Sequence, residues 1–285
     1  MINKVSAQLG CHPLLTGIVE IISHPLRNNW PSAHNRYFYC PNFTTMKLTD
    51  NKILITGGGS GIGLGLTERF VKEGNKVIVC GRRETALQEV ADRFPGVITQ
   101  VCDLAIEADR INLFNWVAAY HPDLNVLVNN AGIQNWMNVT NDDFYDRAQN
   151  EIEINITAPI HLSKLFLKLK SLNTIMNVSS GLAFVPISKV PIYSATKAFM
   201  RSFTLSLRHQ LKGSNIEVIE IIPPALNTDL GGKGIHDAHP PVSEFIESIF
   251  QQLKEGKNEV SFGFSEGRVN ANNESIAEMF NRMNP

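Results

Sequence analysis

The chain has 285 residues, of which 43% are hydrophobic and 19% are charged, and its formal net charge is −1. This composition is typical of a globular protein large enough for one α/β core, and its scattered basic residues form no patch that would attract nucleic acid. The apolar stretches are too short for a membrane-spanning helix, so the sequence predicts neither a nucleic-acid partner nor a membrane partner.

Residues 1–45 differ from the rest of the chain, because they contain several prolines and no sustained hydrophobic period. We expect them to form a poorly structured arm, with Met46 as the working start and residues 46–285 as a single domain. The most apolar part of the arm, residues 14–22, is interrupted by Glu20 and does not resemble a secretory signal. A cytoplasmic protein is therefore expected.

The four cysteines lie at positions 11, 40, 80 and 102, without the close spacing of metal sites or redox pairs. Cys80 and Cys102 lie at the ends of predicted apolar strands. This pattern indicates buried thiols in a reducing compartment and predicts no metal site.

From Lys52 onward, short apolar runs alternate with amphipathic stretches. Residues 52–63 begin as a buried strand and break into glycines, and a helix follows through residue 74. Further strands are predicted at residues 76–80, 97–101, 124–128, 174–178 and 217–222, and helices at 84–94, 110–120, within 141–170, and at 193–211, 242–254 and 275–283. The alternation predicts an α/β fold, a Rossmann-type doubly wound parallel sheet of about seven strands with helices on both faces. Such sheets bind ligands at the carboxyl ends of their strands.

A glycine-rich segment, residues 230–241, follows the last of these strands. Such a segment beside a ligand site is typical of a lid. A plain surface loop has the same composition, and both interpretations stay open.

The turn after the first strand is rich in glycine. Glycine permits positive φ and close approach of the backbone, and a helix N-terminus offers unpaired N–H groups and the positive end of the helix dipole. A strand–helix connection without a ligand is the alternative. We predict that a dinucleotide pyrophosphate binds to this turn through Thr56, Gly57, Gly59, Ser60, Gly61, Ile62 and Gly63.

Arg82 and Arg83 follow the second predicted strand. An acidic residue at this point would bind a ribose diol, whereas arginine pairs with a 2′-phosphate and stacks on adenine. The two arginines favour NADP(H) as cofactor, and NAD(H) stays possible because arginines in the first turn of a helix can also be merely solvated.

The motif Thr-Gly-x-x-x-Gly-x-Gly at a first strand–helix turn is similar to the short-chain dehydrogenase/reductase family, and the resemblance covers about residues 48–283. The element Asn-Asn-Ala-Gly at residues 129–132 matches this family as well. The run Ile-Ile-Pro-Pro-Ala-Leu-Asn-Thr, where most relatives have Pro-Gly, resembles the DltE-like branch. The resemblance implies further cofactor contacts from Asp103, Leu104, Asn129, Ala131, Gly132, Pro223 and Thr228. For Asp103, a helix cap is a second role.

Tyr193 and Lys197 are four residues apart and share one face of a predicted helix. The pKa of a free tyrosine is about 10, and a nearby ammonium together with the positive charge of an oxidised nicotinamide would stabilise the phenolate. In the family that this chain resembles, the tyrosine donates a proton to the carbonyl and the lysine holds the ribose. A serine orients the substrate oxygen, and an asparagine supports a water relay. The resemblance implies these roles for Tyr193, Lys197, Ser180 and Asn155, with Ser179 as the alternative serine.

Together these residues predict an NADP(H)-dependent oxidoreductase that reduces a carbonyl or oxidises a secondary alcohol, with Tyr193 as general acid and base. The alternative is a nucleotide-sensing protein with the same fold and no turnover. The predicted pocket walls, residues 134–137, 182–190 and 226–239, carry no charge cluster that identifies the small-molecule substrate.

The helix predicted at residues 193–211 has a small and apolar face. Relatives assemble through this helix and the one before it, so we expect a homodimer or homotetramer, and burial of the face in the core of one protomer is the alternative. The face consists of Ala195, Ala198, Phe199, Ser202 and Leu205.

Overall fold

The computed structural model describes residues 46–285, and the predicted arm, residues 1–45, lies outside the described residues. The described part forms a seven-stranded sheet with helices on both faces. Its strands are β1 (Lys52–Thr56), β2 (Lys76–Gly81), β3 (Ile98–Val101), β4 (Val126–Asn129), β5 (Thr174–Val178), β6 (Glu217–Ile222) and β7 (Glu259–Ser261). Its α-helices are α1 (Gly61–Lys72), α2 (Glu84–Arg93), α3 (Glu107–Tyr120), α4 (Phe144–Ile152), α5 (Ala158–Phe166), α6 (Pro191–Gln210), α7 (Val242–Lys254), α8 (Phe264–Val269) and α9 (Asn273–Met283).

All neighbouring strands are parallel, and their order in the sheet is β3-β2-β1-β4-β5-β6-β7. The predicted doubly wound sheet is therefore confirmed. The chain order reverses between β1 and β4, so the loops after these two strands border the crevice in which such sheets bind ligands. The sequence did not locate β7, because its three residues are too few to show a hydrophobic period.

The two faces of the sheet bury separate apolar layers, because successive side chains of a strand point to opposite faces. On one face, Ile53 and Ile55 of β1 belong to the same buried cluster as Phe70 of α1 and Phe250 of α7, whose rings meet edge to face at 4.9 Å. On the other face, Leu54 belongs to a buried cluster that includes Leu113 of α3 and Phe166 of α5. Burying each such side chain contributes about 1.5–3 kcal/mol, so the sheet has a firm core on both sides.

The helical stretch predicted within residues 141–170 is interrupted by a π-helical turn, Glu153–Thr157, between α4 and α5. Pro159 lies in the first turn of α5 and has no N–H, so it cannot donate to the carbonyl of Asn155 four residues earlier. Turns of this kind often mark functional sites, and Asn155 lies within this one.

Among residues 46–285, no helix combines the length and the apolar character needed to cross a bilayer. In the same part of the chain, no three His, Cys, Asp or Glu side chains come together as ligands for a metal ion. Cys80 and Cys102 are buried free thiols, which confirms their predicted burial.

A buried ion cluster fastens α6 to the sheet beside the end of β5. Arg201 Nη1 lies 2.5 Å from Glu220 Oε2 and 2.5 Å from Glu259 Oε2. The Ser179 hydroxyl donates to Glu220 Oε1 at 2.6 Å, and the Glu220 side chain is fully buried. Burial raises the pKa of Glu220, and the charge of Arg201 opposes this shift. The cluster thus connects α6 with β6 and β7.

Replacing Arg201 with methionine is expected to lower the free energy of unfolding by about 3–5 kcal/mol, because Glu220 stays buried without its cation. The folded-state pKa of Glu220 then rises further. The difference in the free energy of unfolding between the parent protein and the variant should grow as pH rises above the unfolded-state pKa of the Glu220 carboxyl group. It should shrink on acidification. Urea unfolding at about pH 5 and about pH 8 measures both effects.

Arg93→Met is the matched control, because Arg93 pairs with Glu68 at the surface and both side chains are about half exposed. Loss of that pair should cost about 1 kcal/mol or less. Equal deficits for the two variants at both pH values would show that the buried cluster does not hold α6.

Candidate active site

The turn after β1 brings the start of α1 against the end of the strand. Gly57 has a φ of +65°, and its N–H donates to the Cys80 carbonyl of β2 at 2.8 Å. A Cβ on Gly63 would lie 2.2 Å from the Gly57 carbonyl oxygen, so a residue larger than glycine cannot be accommodated here. The Thr67 hydroxyl donates to the Gly63 carbonyl at 2.9 Å and holds this close approach.

The N-terminus of α1 offers unpaired donors. Its first helical hydrogen bond runs from the Leu64 N–H to the Ser60 carbonyl at 3.1 Å, and the Ser60 side chain does not cap the helix. The N–H groups of residues 61–63 therefore precede the helical ladder. Gly59 leaves the turn open, since a Cβ there would meet nothing closer than 3.6 Å. This arrangement fits the pyrophosphate of a dinucleotide.

Thr56 joins the glycine turn to the end of β4. Its Oγ1 accepts from the N–H groups of Asn130 and Ala131, at 3.0 Å each, and the Asn130 amide donates to the Thr56 carbonyl at 2.9 Å. Asn130 is a positioning residue, for which the sequence predicted no role beyond its place in the Asn-Asn-Ala-Gly element. The Asn129 amide lies in the interior and donates to Asn177 at 2.9 Å. The alternation of side chains along a strand is the signal that could have separated the two asparagines.

Arg82 and Arg83 follow β2 beside this turn, and both are exposed. Arg83 Nη2 lies 3.3 Å from Ser60 Oγ, so its charge is next to the N-terminus of α1. The Arg83 cation therefore lies at the outer side of the turn, where it would meet a negatively charged group, and Arg82 is exposed directly before it in the chain.

Asp103 and Leu104 follow β3 at the same edge of the sheet. Asp103 Oδ1 accepts from the Ala105 N–H at 3.0 Å and closes a local turn, whereas Ile106 is the N-cap residue of α3. The alternative role of Asp103 as a helix cap is therefore wrong. Leu104 is buried, and its carbonyl accepts from Arg110.

Three of the predicted catalytic residues meet at the carboxyl end of β5. Lys197 is only 4% exposed, and its Nζ donates to the Val178 carbonyl at 2.9 Å. The same Nζ lies 5.5 Å from the centre of the Tyr193 ring. Ser180 lies close enough to Tyr193 to lower the pKa of its phenol, and its Oγ accepts from the Leu182 N–H at 3.1 Å. Ser179, the alternative serine, belongs to the ion cluster instead.

Asn155 connects this group with the loop after β4. Its Oδ1 accepts from the Ile133 N–H and its Nδ2 donates to the Ile133 carbonyl, both at 2.9 Å. The Nδ2 also donates to Thr196 Oγ1 of α6 at 3.2 Å. A Cβ on Gly132 would lie 3.2 Å from Asn155 Oδ1 and 3.6 Å from Lys197 Nζ, so these groups border one small volume.

Burial governs the ionisation of the site. Burial raises the pKa of Tyr193 above its ordinary value, and the hydrogen bond with Ser180 opposes the shift. Burial also lowers the pKa of Lys197 to about 8. Because Lys197 donates to Val178 and burial of the phenol dominates, the lowered pKa expected for Tyr193 depends on the second charge in that expectation, the charge of an oxidised nicotinamide. A second positive charge is needed to stabilise the phenolate.

Glu151 of α4 is a buried acid at this site that the sequence analysis did not name. Its side chain is fully buried, and its Oε2 accepts from Asn135 Nδ2 at 3.1 Å. Its Oε1 has no hydrogen-bond partner among residues 46–285. Burial raises the pKa of Glu151 to about 7. The four-residue spacing from Asn155 is a signal that could have pointed to it.

The segment after β6 borders the site from the other side. A Cβ on Gly61 would lie 3.3 Å from Thr228 Cγ2, so Thr228 is next to the glycine turn. The Pro223 carbonyl accepts from the Gly181 N–H at 3.0 Å and is therefore already paired within the protein.

The glycine-rich segment, residues 230–241, touches a predicted pocket wall. A Cβ on Gly231 would lie 2.8 Å from Gln134 Oε1 and 3.1 Å from Trp136 Nε1. The segment therefore lies where a lid over the pocket would lie. Next to this wall is a cavity of about 580 Å³, lined by Trp136, Met137, Asn138, Val139, Ser188, Lys189 and Pro191.

Comparison with known proteins identifies relatives of this chain. The family model of the short chain dehydrogenases matches residues 51–238. The chain is 42% identical over 250 residues to the uncharacterized oxidoreductase DltE of Bacillus subtilis (strain 168), covering 84% of this chain and 98% of DltE. It is 31% identical over 175 residues to the NADP-dependent 3-hydroxy acid dehydrogenase YdfG of Salmonella typhi, covering 60% of this chain and 71% of that protein.

The fold is also similar to that of a solved short-chain dehydrogenase. The enzyme from Sphingobium yanoikuyae, in complex with NADPH, has a TM-score of 0.69 and 25% identity, covering 81% of this chain and 95% of that one. The predicted resemblance to the DltE-like branch is confirmed by the identity to DltE. The family model matches most of this chain, and the chain covers almost the whole length of DltE. We conclude that this chain is an oxidoreductase of the short-chain dehydrogenase/reductase family.

Proposed function

We propose that this protein uses NADP(H) to reduce a carbonyl group or to oxidise a secondary alcohol. The observation that carries the proposal is the joint burial of Tyr193, Ser180 and Lys197 at the carboxyl end of the sheet. Burying an ammonium costs free energy, and a protein that only binds a nucleotide gains nothing from a phenol beside it. The open N-terminus of α1 provides the anion-binding half of the same site.

NADPH, when bound, supplies a hydride to the substrate carbon. The Tyr193 hydroxyl donates a proton to the carbonyl oxygen as negative charge develops there, and it accepts the proton in the reverse direction. Ser180, which is buried beside Tyr193, orients that oxygen with its hydroxyl. Lys197 stays largely protonated at neutral pH, since its pKa is about 8, and holds a positive charge near the phenol.

The preference for NADP(H) over NAD(H) rests on charge. Arg82 and Arg83 are exposed at the outer side of the glycine turn, where a 2′-phosphate would find charge-assisted partners. The NADP dependence of the Salmonella typhi relative and the NADPH complex of the Sphingobium yanoikuyae enzyme support this choice.

We propose a small-molecule substrate that enters through the cavity beside the 134–137 wall. Pro191, which lines this cavity, lies two residues before Tyr193 on α6. Trp136, Met137 and Val139 provide apolar surface, and Lys189 provides a charge. A panel of aldehydes, ketones and secondary alcohols, with and without a carboxylate, would define the substrate class.

We also propose that two copies of the chain associate through α4 and α6. The five residues of the small apolar face are all exposed in the protomer, so the alternative of a buried core face is wrong. Phe199 and Leu205 are 42% and 44% exposed, and Tyr145 and Ile152 add exposed apolar surface on α4. Exposed apolar surface of this extent is typical of an interface between subunits.

Replacing Phe199 and Leu205 together with aspartate is expected to convert a dimer or tetramer into a monomer, because the new charges would be buried at the interface. Light scattering at micromolar concentration measures the change. Tyr120→Asp is the control, since Tyr120 is 71% exposed at the end of α3. A monomeric parent protein would contradict the proposed association.

Tyr193→Phe keeps the ring and its packing but removes the proton donor. Turnover is expected to fall about a hundredfold or more, with the fold and NADPH binding retained. Lys197→Met should in addition weaken NADPH binding. Turnover is measured by steady-state NADPH oxidation, NADPH binding by fluorescence titration, and the fold by melting temperature. Tyr120→Phe is the control.

Parental turnover in Tyr193→Phe would refute the assignment of Tyr193. If the parent protein binds NADPH but converts no member of the substrate panel, the nucleotide-sensing alternative is supported instead.

Replacing Arg82 and Arg83 with alanine should weaken NADPH binding far more than NADH binding, because only the 2′-phosphate loses its partners. Each charge-assisted hydrogen bond contributes about 1.5–3 kcal/mol, so the loss should be tenfold or more. Titration of both cofactors measures it, and Arg93→Ala at the far end of α2 is the control. Equal losses for NADPH and NADH would show that the arginines serve the structure and not the choice of cofactor.

A further inference from the structure

Glu151 has no task in the chemistry described so far, although it lies within the site. It is on α4, four residues before Asn155, and α4 packs against α6, which carries Tyr193 and Lys197. A fully buried carboxylate costs free energy unless it is paired, and the Oε1 of Glu151 has no hydrogen-bond partner among residues 46–285. An unpartnered buried oxygen is also a place where a bridging water would bind.

A single short segment connects Glu151 with Lys197. Gly132 borders both Asn155 and Lys197, because a Cβ at this position would lie 3.2 Å from Asn155 Oδ1 and 3.6 Å from Lys197 Nζ. Three residues further on, the Asn135 amide donates to Glu151 Oε2 at 3.1 Å. The segment after β4 thus contacts the Glu151 carboxyl group through Asn135 and borders the Lys197 ammonium at Gly132.

The charges of this group act on one another. Burial lowers the pKa of Lys197, and the charge of Glu151 opposes this shift. Burial raises the pKa of Tyr193, and the charge of Glu151 raises it further. Arg147 of α4 and Lys197 of α6 are the cations that lower the pKa of Glu151, and burial outweighs them. Arg147 also contacts the same segment, since its Nη2 lies 3.2 Å from the Trp136 carbonyl oxygen.

We propose that Glu151 is a positioning residue that stores the proton with which Tyr193 is restored after each carbonyl reduction, acting through Lys197. The proposal rests on the proposed function. The Tyr193 O–H bond breaks as the substrate O–H bond forms, and a proton then passes from the Lys197 nitrogen to the phenolate oxygen. The Glu151 carboxyl O–H bond breaks as its proton returns to Lys197 by way of water. Glu151 is then reprotonated from bulk water, so each turnover consumes one solvent proton beside the hydride.

The ionisation of the two groups suits this transfer. Glu151 has a pKa of about 7 and Lys197 a pKa of about 8, so moving a proton from one to the other requires little free energy. A carboxyl group with an ordinary pKa would be fully ionised at neutral pH and would have no proton to give.

Glu151→Gln tests the proposal, because glutamine keeps the shape and an acceptor for Asn135 but cannot release a proton. In the parent protein, kcat for carbonyl reduction is expected to fall as pH rises through about 7. In the variant, kcat should be about tenfold lower on the acidic side, and this fall should be absent. KM and NADPH affinity should change little. Asp146→Asn, which removes an exposed carboxylate from the same helix, should keep the parental profile.

An infrared titration of the free protein provides a readout that does not depend on turnover. The parent protein should show a protonated carboxyl band that disappears as pH rises through about 7 and that Glu151→Gln lacks. If Glu151→Gln does not fold, Asn135→Ala assigns the band instead, because loss of the hydrogen bond to Glu151 Oε2 should raise the pH at which the band disappears and at which kcat falls. The absence of such a band would overturn it.

The outcomes separate this inference from the proposed function. A Glu151→Gln variant with the parental kcat and pH profile overturns the role of Glu151, while loss of turnover in Tyr193→Phe still upholds the reductase. A parent protein that converts no carbonyl substrate overturns both.

Discussion

The buried ammonium of Lys197 is the constraint on which the site depends. A cation that is 4% exposed needs a partner, and its donation to the Val178 carbonyl at 2.9 Å ties α6 to the carboxyl end of β5. Tyr193, one turn earlier on α6, is thereby held against Ser180. Further along the same helix, Arg201 joins α6 to β6 and β7 through two carboxylates. Helix α6 is therefore fixed to the sheet by two cations one turn apart, Lys197 and Arg201.

Much of this arrangement could be predicted because it depends on local patterns. Apolar runs alternating with amphipathic stretches predicted the parallel sheet, which is confirmed. The glycine spacing predicted the turn in which Gly63 meets the Gly57 carbonyl. The four-residue spacing placed Tyr193 and Lys197 on one helix face, and both are buried on α6. In each case the signal lies within a few residues of the feature that it predicts.

The features that were missed depend on contacts between distant segments. Asn129 and Asn130 are adjacent and identical in type, and only the orientation of β4 sends one inward and the other to the glycine turn. Glu151 is set in its environment by Asn135 and by the packing of α4 on α6. The pKa of Tyr193 also depends on burial by the whole fold, which outweighs the opposing effect of Ser180. Local patterns indicate which side chains share a face, but not what each face meets in the folded chain.

The central claim is that Tyr193 becomes a proton donor and acceptor once a positive charge joins Lys197 beside it. Ultraviolet difference titration measures this most directly, comparing the parent protein with Tyr193→Phe, each with and without NADP⁺. Because burial raises the pKa of Tyr193 in the protein alone, its phenolate should form at a clearly lower pH when NADP⁺ is bound. Formation of the phenolate at the same pH in both states would contradict the account.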